Sequence, residues 1–136
     1  LDILEEAGAE IDRTVMCHTD RTILDNETLL GLARRGCYIE YDFFGWEISY
    51  FSYSPYDMPN DSQRLDFIKF LVDEGYSEKV FMAHDMFGKH RQARFGGHGW
   101  GHILENIVPR MPNKGLSDTD IENILVCNPA RLLTFV

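Results

Sequence analysis

Lys79-Val80-Phe81-Met82-Ala83-His84-Asp85 is the stretch on which the fold turns. Its apolar core is four residues long, too short for a buried helix and the usual length of a buried strand. It ends in a polar pair, and a long loop, residues 86–101, follows. Working back along the chain, the same pattern recurs. Thr14-Val15-Met16-Cys17 is a short apolar run that ends at His18, and Cys37-Tyr38-Ile39-Glu40-Tyr41 is a third run, followed by the long aromatic loop 43–60.

Helical patterns separate these runs. Asp25 can cap a helix that reaches about Arg35 and stops at Gly36, with Leu29, Leu30, Leu32 and Ala33 as its buried face. Asp61 or Ser62 opens a second helix, in which Leu65, Ile68, Leu71 and Val72 have helical spacing and Gly75 is the stop. Ile103, Leu104, Ile107 and Val108 suggest another. Ser117, with Asp120 three residues on, caps a further one that carries Ile121, Ile124 and Leu125, and Pro129 starts a last turn through Leu132 and Leu133. Strands separated by helices imply parallel pairing through right-handed crossovers. A doubly wound sheet and a segment of a closed barrel both satisfy this order. Long loops after strands and short returns after helices favour the barrel, whose active sites lie at the C-terminal strand ends, although open α/β sheets share the feature.

Composition narrows the function. The chain has 136 residues, 44% of them hydrophobic, and a net charge of −9. An acidic chain lacks the basic surface that phosphate backbones require, so nucleic-acid binding is not expected. No apolar run reaches membrane-spanning length. Three cysteines, Cys17, Cys37 and Cys127, form no CxxC pair. Each sits in or beside an apolar run, as buried free thiols do, which points to a reducing, cytoplasmic setting. Leu1-Asp2-Ile3-Leu4-Glu5-Glu6-Ala7-Gly8 reads as the tail of a helix closed by Gly8. With no initiator methionine, the chain is expected to begin inside a larger protein.

The chemistry concentrates at the strand ends. His18 follows the first strand and Asp85 the third, so both face the same end of a parallel sheet. Imidazole nitrogen and carboxylate oxygen suit a zinc-like ion, but two donors do not complete a catalytic site, which takes about three protein ligands and a water. A hydrogen-bonded structural His and a turn-forming Asp explain the same residues. His98 and His102 have the i, i+4 spacing of a zinc pair, yet Gly99 and Gly101 disfavour a helix, and a flexible substrate loop or lid is the better reading. Lys89, His90, Arg91 and Arg94 form a basic cluster that could receive an anion or simply be solvated. Cys17 and His18 are adjacent on a strand and so are expected to point to opposite faces, which argues against a shared role. Phe43, Phe44, Trp46, Tyr50, Phe51, Tyr53 and Tyr56 either line an apolar pocket or pack a loop with its own rings.

Three segments in order carry a resemblance. Cys17-His18-Thr19-Asp20-Arg21-Thr22, Met82-Ala83-His84-Asp85 and Cys127-Asn128-Pro129-Ala130-Arg131-Leu132-Leu133, together with the Gly-Gly-His-Gly-Trp-Gly-His-Ile-Leu run from Gly96, resemble the C-terminal portion of phosphotriesterase-related proteins of the amidohydrolase superfamily. The resemblance covers essentially the whole chain. It implies that residues 1–136 are about the last three βα units of a (β/α)₈ (TIM) barrel forming one metal-dependent hydrolase domain. It further implies two divalent metals, usually zinc, with His18 on the more exposed ion and Asp85 on the more buried one. A metal-bridging hydroxide would be the nucleophile, and Asp85 would orient it and take its proton.

The first-strand His-x-His pair, the carboxylated lysine and the fifth-strand His of such a site would precede Leu1. The isolated chain is therefore expected to bind metal weakly and to lack turnover. Phe43 stands where the family's best-known members place a relay histidine, and Arg21 replaces an acidic relay residue. That favours ester, lactone or N-acyl amide cleavage of a small molecule carrying an anionic group, received by Arg21, Phe43 and Trp46, over phosphotriester hydrolysis. A homodimer is compatible with this reading. A non-catalytic, ligand- or partner-binding relative is the alternative from another class.

Overall fold

The short apolar runs pair as expected. In the computed structural model, which describes residues 1–53 and 55–135, β1 (Val15–Met16), β2 (Tyr38–Tyr41) and β3 (Val80–Met82) form a parallel sheet in the order β1-β2-β3. Val15 lies opposite Tyr38, and Ile39 opposite Val80. Tyr38 N–H donates to Thr14 O at 2.8 Å and Ala83 N–H to Tyr41 O at 2.9 Å, so the pairing extends slightly past the regular strands. A doubly wound sheet reverses strand order at a switch point. The described strands run in sequence order, as they do in a barrel segment and within one half of a doubly wound sheet.

The two faces of this sheet differ. Ile39, Tyr41 and Val80 are packed against α2 (Asn26–Ala33) and α3 (Asp61–Asp73) through Leu29, Ala33, Leu65, Ile68 and Leu71. Ile103, Ile107, Met111 and Ile124 complete this core. Alternation along the strands turns Val15, Tyr38, Glu40 and Phe81 the other way. There Tyr38 and Phe81 stack at 4.8 Å beside an open pocket of about 420 Å³, lined by Val15, Cys17, Glu40 and Phe81 with Leu132 and Leu133. Two helices, Asn26–Ala33 and Asp61–Asp73, thus cover one face, while on the other Leu132 and Leu133 border the open pocket.

Helix starts follow local chemistry. Asp25 accepts the Thr28 N–H at 2.8 Å and opens α2. α3 opens at Asp61, as expected, and Asn60 caps it in a reciprocal box with Gln63. That frees Asp61 for a buried role. An N-terminal helix α1 (Asp2–Glu6) is wholly exposed and pairs with Arg35. The helix expected around Ile103 is a wide π-type turn, Ile103–Ile107, that runs into a 3₁₀ turn at Val108–Arg110. Pro109 has no N–H for the carbonyl four residues back, so the α ladder cannot continue there. Ser117 and Asp120 form the expected capping box on α4 (Asp118–Glu122).

Beyond a second π-type turn lies α5 (Asn128–Leu133). Its buried Asn128 donates to Ser77 O at 2.8 Å and Val80 O at 2.9 Å, which fastens α5 to the start of β3. Among the described residues, no helix is long and apolar enough to cross a membrane.

Candidate active site

The three strands end in the same way. His18 follows β1, Asp42 follows β2 and Asp85 follows β3. His18 and Asp85 are the only described non-glycine residues with positive φ, at 55° and 44°. This left-handed conformation costs an L-residue roughly 1–2 kcal/mol.

At His18 the turn has a visible consequence. The backbone N–H donates to Asp42 Oδ2 at 3.0 Å, and ring Nδ1 approaches the same oxygen to 2.8 Å without hydrogen-bond alignment. Asp42 is buried, and its other oxygen has no partner. The turn also overturns the strand argument about Cys17. Alternation assumes extended backbone at both residues; because His18 is left-handed, donor atoms of Cys17, His18 and Asp42 lie within 4.8 Å of one another. Nor is Cys17 buried. It is exposed beside the open sheet face, whereas Cys37 is buried.

The mouth is acidic. Partial burial and then the charge of Asp42 push the Glu40 carboxyl above its usual range, with Asp20 and Asp85 adding and His18 opposing. Burial, then Asp42 and Glu40, likewise raise the Cys17 thiol. Among the described residues, the half-buried Asp85 carboxylate makes no hydrogen bond or ion pair. An acidic mouth of this kind suits divalent cations, for which His18 and Asp85 are chemically suitable donors; donor atoms of Cys17, His18 and Asp42 lie together, and Asp85 lies outside that group.

The aromatic loop forms the adjoining wall. Phe43 is buried and stacks on His18 at 5.2 Å. Trp46 meets Phe43 edge-on at 5.6 Å, and Phe51 touches both. The Arg21 guanidinium lies over Phe43 and Phe51 at 5.7 and 5.4 Å. Arg21, Phe43 and Trp46 are thus brought together beside His18. The loop is packed by its own rings, and it also borders the strand ends.

Behind this wall is a buried charge network that sequence reasoning missed. Arg64 is fully buried, donating from Nε to Asp20 Oδ2 at 2.9 Å, from Nη1 to Asp61 Oδ1 at 2.8 Å and from Nη2 to Trp46 O at 3.2 Å. Asp20 also accepts the Phe43 N–H at 3.0 Å, and Asp61 accepts the Gly45 N–H. The network therefore ties the loops after β1 and β2 to α3. Burial pushes Asp20 up to about 6, with Asp42 adding to the shift and Arg64 and the Phe43 N–H opposing it. For Asp61, burial acts upward but is outweighed by hydrogen bonding with His102, Glu47 and Gly45 and by the charge of Arg64, so its carboxyl lies below the usual range. Asp61 and Arg64 stand three apart on a helix, and that i, i+3 pair was the available signal.

The other candidates resolve differently. His102 is buried with Nε2 2.7 Å from Asp61 Oδ2, so it is a fixed anchor and not part of a flexible loop. His98 is exposed with its ring 4.3 Å from that of His102. Gly45 has φ 82°, and a Cβ there would lie 3.0 Å from the His102 ring and 3.0 Å from the His98 Cβ, so the position favours glycine. In the basic cluster, Lys89, His90 and Arg94 are exposed, but Arg91 is buried. Arg91 donates to His84 O and to Phe44 O, and its guanidinium lies 5.0 Å over Trp46.

Comparison with known proteins agrees with this architecture. The phosphotriesterase family profile matches residues 1–133. N-acetyltaurine hydrolase from Mus musculus is 52% identical over 134 residues, covering 98% of this chain and 38% of that protein. A phosphotriesterase-related protein from Nematostella vectensis is 49% identical with the same coverage. Among solved structures, a resiniferatoxin-binding protein from Rhodobacter sphaeroides superposes with a TM-score of 0.90 at 33% identity, over 96% of this chain and 36% of that one. A lactonase from Listeria monocytogenes gives 0.83 at 26% identity, over 99% and 40%. The chain thus spans well under half the length of these relatives. With its strand-end residues and its match over nearly every position, it belongs to the phosphotriesterase family.

Proposed function

We propose that this chain forms the last three βα units of a (β/α)₈ barrel hydrolase that cleaves an acyl bond, and that the preferred substrate is an N-acyl amide carrying an anionic group. The observation that carries this reading is the matched pair of left-handed residues, His18 and Asp85, at the ends of β1 and β3. Strain of this kind persists only where the surrounding structure over-determines it, and it clusters at active sites. In a complete barrel, the open face with Val15, Cys17 and Phe81 would be covered by the other strands.

His18 and Asp85 would each hold one of two divalent ions, zinc being the ion best suited to these donors. Such ions lower the pKa of water and polarise an acyl oxygen. The rest falls to side chains. Asp42 fixes the orientation of His18. The Asp85 carboxylate, unpaired, takes the proton of the attacking water. Arg21 receives the anionic group of the substrate, and Phe43 and Trp46 line the pocket and exclude water.

The relatives named for N-acetyltaurine hydrolysis support an amide with an anionic amine portion, and the lactonase keeps esters and lactones within the class. The test is a screen of the full-length protein against N-acetyltaurine, lactones, simple esters and phosphotriesters, with and without a chelator. Chelator-sensitive turnover of the acyl compounds is expected, and a clear phosphotriester preference contradicts the reading. A second reading is a binding protein without turnover, supported by the name of the Rhodobacter relative. Ligand binding with no hydrolysis of any class would favour it.

A further inference from the structure

We propose that Arg91 is a positioning residue that sets the proton acceptor and the substrate wall together, by holding the peptide bond in front of Asp85 and the indole of Trp46. This rests on the roles given above to Asp85 and Trp46 and adds the side chain that couples them. Arg91 is 6% exposed, whereas Lys89, His90 and Arg94 of the same cluster lie in solvent.

The backbone pairing of β3 reaches Ala83, whose N–H donates to Tyr41 O at 2.9 Å and whose carbonyl accepts the Phe44 N–H at 3.3 Å. The chain then turns at the left-handed Asp85. The carbonyl in front of that turn, His84 O, accepts from Arg91 Nη2. The same nitrogen donates to Phe44 O at 3.0 Å, and the guanidinium lies 5.0 Å over the Trp46 ring. One planar group thus spans the turn at Asp85 and the aromatic loop after β2. His84 is also held at its ring, where Nε2 accepts the Ile103 N–H at 3.2 Å.

Arg91 is itself fixed by its loop. Its N–H donates to Gly88 O at 3.0 Å, and its carbonyl accepts the Gly99 N–H at 2.9 Å. A Cβ at Gly97 would lie 2.3 Å from the Arg91 carbonyl carbon and oxygen, so the two backbones are in direct contact. Burial pushes the guanidinium below its ordinary range, and the Asp85 charge is the strongest influence opposing that shift. Lysine would keep the charge but replaces the flat fork with a compact ammonium, which loses the stacking on Trp46. A displacement of about 1 Å at a reacting group can cost 10²-fold in rate, so a fixed peptide in front of Asp85 bears directly on turnover.

The test uses the full-length protein with N-acetyltaurine as substrate, with Zn²⁺ affinity measured by chelator competition and folding by circular dichroism. Arg91→Lys is expected to lower kcat at least about tenfold, to raise KM and to weaken Zn²⁺ binding roughly tenfold. Gly97→Ala keeps the guanidinium but displaces the Arg91 backbone. It is expected to move all three in the same direction, and it decides the matter if Arg91→Lys does not fold. In an Asp85→Asn background, Arg91→Lys is expected to cost little further kcat, because its effect runs through the Asp85 carboxylate. A kcat within about twofold of wild type in both variants, a rise in KM alone, or an equal loss of kcat in the wild-type and Asp85→Asn backgrounds overturns the coupling and leaves the reading of Asp85 standing. Full turnover by Asp85→Asn overturns that reading and this inference with it.

Discussion

His18 and Asp85 differ in how their strain is compensated. His18 gains contacts with Asp42 through its backbone N–H and ring. Asp85 gains no such side-chain contact at its φ of 44°; its local contact is the Phe87 N–H donating to its carbonyl at 2.8 Å. Asp85→Gly is therefore expected to raise the stability of the metal-free protein by about 1 kcal/mol while abolishing turnover. Urea unfolding checks this, and a loss of stability would contradict it. The positions of His18 and Asp85 at strand ends were legible, because an apolar run stopping at a polar residue is a pattern in composition. Their left-handed backbone was not, since tertiary context decides the sign of φ for His and Asp. Asp42 went unread for a related reason: an Asp after a strand looks like any turn former, and only the chain folded around it buries it against His18.

At the level of elements, α3 is the anchor of the mouth. Its Arg64 neutralises two buried carboxylates at once, so Arg64→Met should cost roughly 3–5 kcal/mol by leaving Asp20 and Asp61 uncompensated. Urea midpoints measure this, and a cost below about 1 kcal/mol would show the network to be incidental. Asp61 adds a pH dependence. Its carboxyl is depressed in the folded state, so its contribution is present above the ordinary aspartate pKa and is lost as pH falls through the folded value. The melting-temperature gap between wild type and Asp61→Asn should therefore be constant near neutrality and shrink only in acid below about pH 4. A gap that narrowed between pH 5 and pH 7 would contradict the assignment. At α4, Ser117→Ala should cost about 1 kcal/mol through loss of the capping box.

Helices with strong caps and stops were readable, because Asp25, Ser117, Gly36 and Gly75 act locally. The π-type turns at Ile103–Ile107 and Asn123–Cys127 were not, since an apolar periodicity does not distinguish them from α-helix. Arg64 showed only its i, i+3 pairing with Asp61; its burial was not legible, because Asp20 and Trp46 arrive from loops far away in sequence.

For the molecule as a whole, three strands in sequence order suit both a barrel segment and one half of a doubly wound sheet, and it is the family match that favours the barrel. The sheet face with Val15, Glu40 and Phe81 lies open, and the mouth above it gathers Asp20, Asp42 and Asp85 in a chain of net charge −9. An acidic mouth of this kind is a suitable place for cations. The central claim is that His18 and Asp85 hold the metals, with Asp85 also accepting the proton. The most direct measurement is N-acetyltaurine turnover together with metal content for full-length wild type and Asp85→Asn. The account predicts that wild type carries two divalent ions and turns over, and that Asp85→Asn binds less metal and loses roughly 10²–10⁴-fold in kcat. Wild-type metal content and turnover in Asp85→Asn would contradict it.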